Sequence, residues 1–146
     1  MTDGEAVTDI DAKELVGRYV AVWSQPDAGL RRAAISELWA EDGVHILQPP
    51  QEIRQAAAGL GFNSTALQAR GHDALEVRVT RAYQEFLAPG QFTFTPRDNA
   101  ARLGNVVKFN WDMVPTGGGE PAGAGLEILV LDEDGRIMTD YQFIEG

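Results

Sequence analysis

The stretch that decides the fold reads Ala124-Gly-Leu-Glu-Ile-Leu-Val-Leu-Asp-Glu-Asp-Gly-Arg-Ile137 and continues to Tyr141-Gln-Phe143. Two runs rich in β-forming residues flank an Asp-Glu-Asp-Gly turn, in which Gly135 supplies the positive φ that a hairpin needs. Glu127 stands alone among aliphatic residues in the first run. Because a buried carboxylate is costly, Glu127 is either a local conflict or the working part of a pocket.

The same two-residue alternation extends back from this hairpin to Phe92. Turn-forming residues at 96–99, 116–121 and 134–135 divide it into four strands. The apolar positions of these strands are Phe92/Phe94, Val107/Phe109/Trp111/Met113, Leu126 to Leu131 and Ile137 to Ile144. The sequence therefore predicts a four-strand antiparallel meander.

The N-terminal half has a helical period instead. Capping boxes that begin at Asp11 and Asp73 open the first and third helices, and a second helix runs from about Asp27 to Trp39. Phe86 is on the predicted buried face of the third helix. The fold class is α+β, with three N-terminal helices packed on one face of a curved antiparallel sheet.

Between these helices lie a short strand, 44–48, and the segment 51–70, whose pattern is the weakest in the chain. We expect at most two helical turns there and then an irregular stretch. Leu60 and Phe62 are costly to leave in water, so the segment is interpreted as a lid. Residues 1–9 are expected to be a flexible tail, and 1–146 to form a single domain.

Composition limits the partners. Lys and Arg number 12 against 22 Asp and Glu, a net charge of −10, which should repel nucleic acid and anionic membranes. The acidic start has no apolar run, so no signal peptide is expected and a cytoplasmic location is the default. The two histidines, His45 and His72, lack metalloenzyme spacing and cysteine is absent, so no metal is predicted.

Four motifs, in their order and spacing, carry a resemblance to a known superfamily. They are Gly17-Arg-Tyr-Val20, Leu38-Trp-Ala-Glu-Asp-Gly-Val44, Phe109-Asn-Trp-Asp-Met113 and Leu131-Asp-Glu-Asp-Gly-Arg-Ile137. The chain resembles the nuclear transport factor 2 (NTF2)-like superfamily, and within it the SnoaL-like polyketide cyclases and ketosteroid isomerases. The resemblance implies a cone-shaped α+β barrel with a ligand cavity, commonly dimeric, in a superfamily that holds both enzymes and non-catalytic domains.

The resemblance also implies roles for individual residues. Tyr19 matches the isomerase tyrosine that donates to the developing enolate oxygen, and Glu127 matches its second donor, a carboxylic acid kept neutral by an apolar site. Leu47 stands where the isomerase has its aspartate base, and a one-residue slip offers only Gln48. The steroid isomerase reaction itself is therefore not expected. Asp140 is the most plausible base.

Plainer interpretations remain open for the same residues. Tyr19 suits an ordinary core tyrosine, and Glu127 would also suit a dimer rim. Alternation with Tyr141 and neighbouring apolar residues would send Asp140 and Gln142 to solvent, whereas the resemblance places both, with Ile144, in the cavity.

The sequence thus predicts a SnoaL-like enzyme performing acid-base chemistry without metal or cofactor on a hydrophobic molecule that bears a carbonyl or hydroxyl group. The alternative is a non-catalytic dimeric domain that binds a ligand or only assembles. A homodimer is expected through the outer sheet face, because Ile128 and Val130 need cover. The expected catalytic residues are Tyr19, Glu127 and Asp140, and the expected ligand-binding residues are Trp39, His45, Leu47, Phe62, Phe86, Phe109, Trp111, Met113, Gln142 and Ile144.

Overall fold

A computed structural model describes residues 11–49, 51–62 and 66–145. The predicted tail, 1–9, lies outside these ranges. The described helices are α1 (Ala12–Ser24), α2 (Ala28–Leu38), α3 (Gln51–Gly59) and α4 (His72–Ala82), and a π-helical turn, Tyr83–Leu87, follows α4. None of these helices is long and apolar enough to cross a bilayer.

Local sequence signals explain two of the helix starts. The Asp11 carboxylate accepts from the backbone N–H groups of Lys13 and Glu14, and Asp27 caps α2 by accepting from Leu30. The capping box predicted at Asp73 is wrong. The residue before α4 is Gly71, which has a φ of 88° and makes no side-chain cap, while Asp73 pairs with an arginine of α2.

The described strands form one sheet in the order β2-β1-β7-β6-β5-β3, with β4 paired to β5. Their bounds are β1 (Trp39–Gln48), β2 (Leu67–Arg70), β3 (Phe92–Pro96), β4 (Ala101–Leu103), β5 (Val106–Pro115), β6 (Gly123–Leu131) and β7 (Ile137–Glu145). The α+β prediction is confirmed. The four-strand antiparallel meander is confirmed as β3-β5-β6-β7. Strand β1 extends this sheet by pairing with β7 in parallel.

The α+β arrangement implied by the resemblance is present in the described chain, but its sheet is not closed into a barrel. β2 pairs only with β1, and β3 pairs only with β5. The sequence analysis placed residues 67–70 in the irregular segment. In the structure they form β2 and lie within the sheet. The preceding helix α3 has no buried residue.

The hydrophobic core lies between the helices and the inner face of the sheet. Helices α1, α2 and α4 contact strands, and α1 buries Tyr19 and Trp23. Large side chains that are almost fully buried there are Ile35, Trp39, Leu75, Phe109, Leu129, Leu131 and Ile137. The outer face leaves Tyr141 and Phe143 exposed by 40% and 37%.

Candidate functional site

A cavity of about 370 Å³ opens between the helices and the inner face of the sheet. Its wall is almost wholly apolar, and its volume is within the range of small-molecule sites. The lining residues are Tyr19, Val20, Trp23, His45, Leu47, Arg78, Ala82, Phe86, Phe94, Trp111, Met113, Gly123, Ala124, Glu127, Gln142 and Ile144.

The structure places most of the predicted site residues on this wall, and four elsewhere. Trp39 and Phe109 are core residues whose rings pack against Tyr19 at centroid distances of 5.6 and 5.5 Å. Phe62 follows α3 at the surface and is 60% exposed. Asp140 is fully buried behind the wall. These four residues therefore do not line the cavity.

Strand register explains why the polar side chains converge. Glu127 of β6 pairs with Gln142 of β7, and Asp140 of β7 pairs with His45 of β1, all on the inner face. Glu127 and Asp140 are therefore diagonal neighbours, a spacing at which long side chains meet. The outward placement of Asp140 and Gln142 that alternation favoured is wrong, since Tyr141 takes the outer face instead.

Three hydrogen bonds connect these side chains in one chain. The indole Nε1 of Trp111 donates to Oε2 of Glu127 over 2.8 Å. The hydroxyl of Tyr19 is 2.9 Å from Oε1 of Glu127 and 2.5 Å from Oδ2 of Asp140. The tyrosine hydroxyl thus bridges two buried carboxyl groups.

Counting protons assigns the direction of each bond. A tyrosine hydroxyl has one hydrogen, so it can donate to only one of its two carboxyl neighbours, and the other must donate to it. Trp111 occupies Oε2 of Glu127, which leaves Oε1 to hold a proton facing Tyr19. The shorter of the two contacts is with Oδ2 of Asp140, so we assign the Tyr19 hydroxyl as donor to Asp140.

Electrostatics favour the same assignment. Burial raises the pKa of Glu127 well above its ordinary value, and the charge of Asp140 raises it further, while the Trp111 hydrogen bond opposes the shift. Burial and then the Asp140 charge likewise raise the pKa of Tyr19. Both shifts favour a proton on Glu127 and a proton on Tyr19.

His45 extends the cluster toward α4. Nη1 of Arg78 lies 3.0 Å from Nδ1 of His45, and because arginine only donates, Nδ1 must accept and the neutral ring carries its proton on Nε2. Burial lowers the pKa of His45; Asp140 opposes this shift and Arg78 supports it. Nε2 lies 3.9 Å from Oδ2 of Asp140 and has no hydrogen-bond partner among the described residues.

His45, Glu127 and Asp140 also form the sort of cluster that could hold a metal ion, since one ligand atom from each lies within 4.8 Å of the others. The donor set does not fit such a role. Arg78 keeps the proton on the imidazole nitrogen that faces the cluster, and one of the carboxyl groups is protonated. A metal would have to displace both protons.

Sequence reasoning missed Arg78, the cationic residue of the wall. A signal was available, because residues 78, 82 and 86 share one helical stripe, and Phe86 was already expected on the buried face. The π-helical turn keeps Phe86 on the cavity wall one turn beyond α4. Val20, Trp23, Phe94, Gly123 and Ala124 were also missed as lining residues.

The sequence matches no family model and no curated protein closely enough to be counted as a relative. Solved structures do match. A SnoaL-like family protein from Agrobacterium tumefaciens, which carries a provisional isomerase assignment, is 21% identical with a TM-score of 0.73, over 92% of this chain and 97% of that one.

Two further structures are similar over most of their length. An NTF2-like protein of unknown function from Mesorhizobium loti is 18% identical with a TM-score of 0.60, over 98% of this chain and 93% of that one. A protein from Jannaschia, provisionally a SnoaL-like polyketide cyclase, is 12% identical with a TM-score of 0.59, over 92% and 87% of the two chains. The chain therefore has the fold shared by NTF2-like and SnoaL-like proteins.

Proposed function

We propose that this protein is a small enzyme that performs acid-base chemistry without a cofactor, of the isomerase, cyclase or hydratase type. Its ligand would be an apolar molecule that bears a carbonyl or hydroxyl group. The observation that carries the proposal is Glu127, a buried carboxyl group on the wall of an apolar cavity whose pKa is raised well above its ordinary value. A carboxyl group with a raised pKa is suited to give and take protons.

Each neighbour of Glu127 would have a distinct part. When a ligand binds, the Oε1 proton of Glu127 would turn from the Tyr19 hydroxyl to a ligand oxygen and be donated to it. The Trp111 N–H would then stabilise the carboxylate that remains. The same carboxylate could then take a proton from the ligand, so that the protein ends in its starting state, as isomerisation or cyclisation requires. Asp140, behind Tyr19, is a positioning residue that keeps the tyrosine hydroxyl oriented.

One observation favours a second function, a non-catalytic ligand-binding domain. Both oxygens of Glu127 already have protein partners, and Asp140 does not line the cavity. In that case the hydrogen bonds around Glu127 would only satisfy buried polar groups beneath an apolar pocket. A test must therefore measure proton transfer and binding separately.

Deuterium exchange into a bound ketone makes this distinction. The protein would be incubated in D₂O with 2-acetonaphthone, and loss of the methyl proton signal would be followed by NMR. We expect exchange above the buffer rate in the wild type and a loss of roughly 100-fold or more in Glu127→Gln. Glu133→Gln, which removes an exposed carboxylate in the β6–β7 turn, should leave the rate unchanged.

Binding of the same ketone is measured by calorimetry. A ketone that binds without any exchange above background would favour the non-catalytic domain. Exchange that persists in Glu127→Gln would assign proton transfer to another group and overturn the role proposed for this residue.

A further inference from the structure

We propose that the natural ligand is an apolar molecule carrying a carboxylate, and that this carboxylate binds the guanidinium group of Arg78 in the cavity. The inference deepens the proposed function by naming the ligand class, and it relies on that function only for the chemistry at Glu127. It begins from the charges on the wall. Arg78 lines the cavity as a cation, while the other ionisable groups there, Tyr19, His45 and Glu127, are neutral in the assignment above.

The geometry of Arg78 leaves half of its guanidinium available. Nη1 alone makes three contacts, with Nδ1 of His45 at 3.0 Å, the backbone oxygen of His45 at 3.2 Å and the backbone oxygen of Leu67 at 3.1 Å. No hydrogen bond to a described residue involves its Nε or Nη2. The group is thus fixed in place by one nitrogen, and such a fork is suited to a planar carboxylate.

The guanidinium group of Arg78 also has no carboxylate in direct contact. It forms no ion pair within 4.0 Å with any carboxylate of the described residues, whereas the more exposed Arg32 and Arg97 do form such pairs. Burial lowers the pKa of Arg78, and the charge of Asp140 opposes this shift. A ligand carboxylate against the free Nε and Nη2 would supply the direct ion pair that the described residues do not.

The distance between Arg78 and Glu127 indicates where the ligand's second polar group lies. Arg78 contacts β1 and β2, whereas Glu127 is on β6, and β7 lies between β1 and β6. Two strand spacings are about 10 Å. A carboxylate at Arg78 would therefore leave an apolar body between the two residues and a carbonyl or hydroxyl group at Glu127. The ligand class is a flat apolar acid with a remote oxygen function.

Calorimetry with a matched pair of probes tests this inference. 2-Naphthoate and 2-acetonaphthone have the same ring system and differ in charge. We expect the wild type to bind the acid more tightly, and Arg78→Gln to lose about tenfold or more of its affinity for the acid while keeping its affinity for the ketone. Arg78→Lys should keep part of the preference, because it keeps the charge without the planar fork.

Arg81→Gln is the matched control, since it removes one positive charge from an exposed site on the same helix. Equal wild-type affinities for acid and ketone, or the same loss in Arg78→Gln and Arg81→Gln, would overturn the inference. Retained ketone binding shows that Arg78→Gln is folded; if it fails to fold, the acid-to-ketone preference in Arg78→Lys decides instead.

The result separates this inference from the proposed function. If the ketone binds and exchanges deuterium but the acid does not bind, the enzyme proposal stands and the carboxylate proposal is wrong. If the acid binds through Arg78 and no ketone exchange occurs, the ligand class stands and the catalytic role of Glu127 is wrong.

Discussion

Glu127 has no cation beside it among the described residues. Protonation, rather than an ion pair, is therefore what lowers the cost of burying its carboxyl group. Its Oε2 accepts from the indole of Trp111, and its Oε1 carries the proton that faces the Tyr19 hydroxyl. Asp140 lies one hydroxyl away, and two ionised carboxylates at that distance would repel each other strongly. The charge of Asp140 therefore adds to burial in raising the pKa of Glu127.

The pH dependence of stability should reveal this proton. The pKa of Glu127 is raised above its ordinary value of 4.5, so the folded protein holds a proton that the unfolded chain releases. The contribution is fully present below pH 4.5 and is lost as the pH rises through the folded pKa. We expect Glu127→Gln to remove this loss, so that its unfolding free energy declines less than that of the wild type as the pH rises. Urea unfolding at several pH values measures the difference.

Carboxyl-carbon NMR provides the direct check. The Glu127 signal should titrate at a pH well above that of a free glutamate, because its pKa is raised. A Glu127 signal that titrates like a free glutamate would place its charge in solvent and contradict the proton assignment.

Removing the bridging hydroxyl should be costly. Tyr19→Phe keeps the ring packing but leaves two buried carboxyl groups facing each other without a donor between them. We expect a loss of about 1–3 kcal/mol in unfolding free energy, measured with urea. Tyr141→Phe, at a tyrosine that is 40% exposed, should change stability by less than about 0.5 kcal/mol. Equal effects of the two substitutions would mean that the bridge contributes nothing.

At the scale of strands, β5 and β6 position the site through one close contact. Trp111 lies directly across from Gly125, and its indole covers the glycine. A Cβ built at residue 125 would be 2.3 Å from the indole ring. Only glycine lets the indole lie flat there and reach Oε2 of Glu127.

Gly125→Ala should therefore displace the indole and break its bond to Glu127. We expect an overpacking cost of about 1–3 kcal/mol and a higher Glu127 pKa, because the Trp111 hydrogen bond now lowers it. Gly123→Ala is the matched control on the same strand, since its Cβ would meet only Met113, at 3.5 Å. Near-ultraviolet circular dichroism and the Glu127 titration would report the change. Unaltered signals in Gly125→Ala would show that the contact does not position Trp111.

Strand β7 shows how far sequence patterns reach. The alternation between polar and apolar residues identified the strand but assigned its faces wrongly. The polar residues Asp140 and Gln142 face inward, because one joins the hydrogen-bond network and the other lines the cavity. Here the resemblance gave the orientation that Gln142 and Ile144 have. The position of Arg78 could have been predicted from helical spacing, but its contact with His45 depends on how α4 packs against β1.

At the scale of the whole molecule, the sheet has two apolar faces and the described helices cover one. The outer face presents Ile128 and Val130 from β6 beside Tyr141 and Phe143 from β7, and Tyr141 and Phe143 are more than a third exposed. Contiguous apolar surface of this kind is typical of an interface. A second copy of the chain can cover it through a twofold axis, with the same residues on both sides.

We therefore expect a homodimer through the outer face, and the prediction can be tested without knowing the ligand. Light scattering at micromolar concentration should give twice the chain mass of 15.9 kDa. Ile128→Lys should give the monomer mass, because two lysines would meet near the axis in an apolar surface. Val77→Lys makes the same change at a 52% exposed site on helix α4, away from that face, and should remain dimeric. A wild-type monomer would contradict the dimer prediction. A dimer that survives Ile128→Lys but dissociates in Val77→Lys would show that the interface is not on the outer face of the sheet.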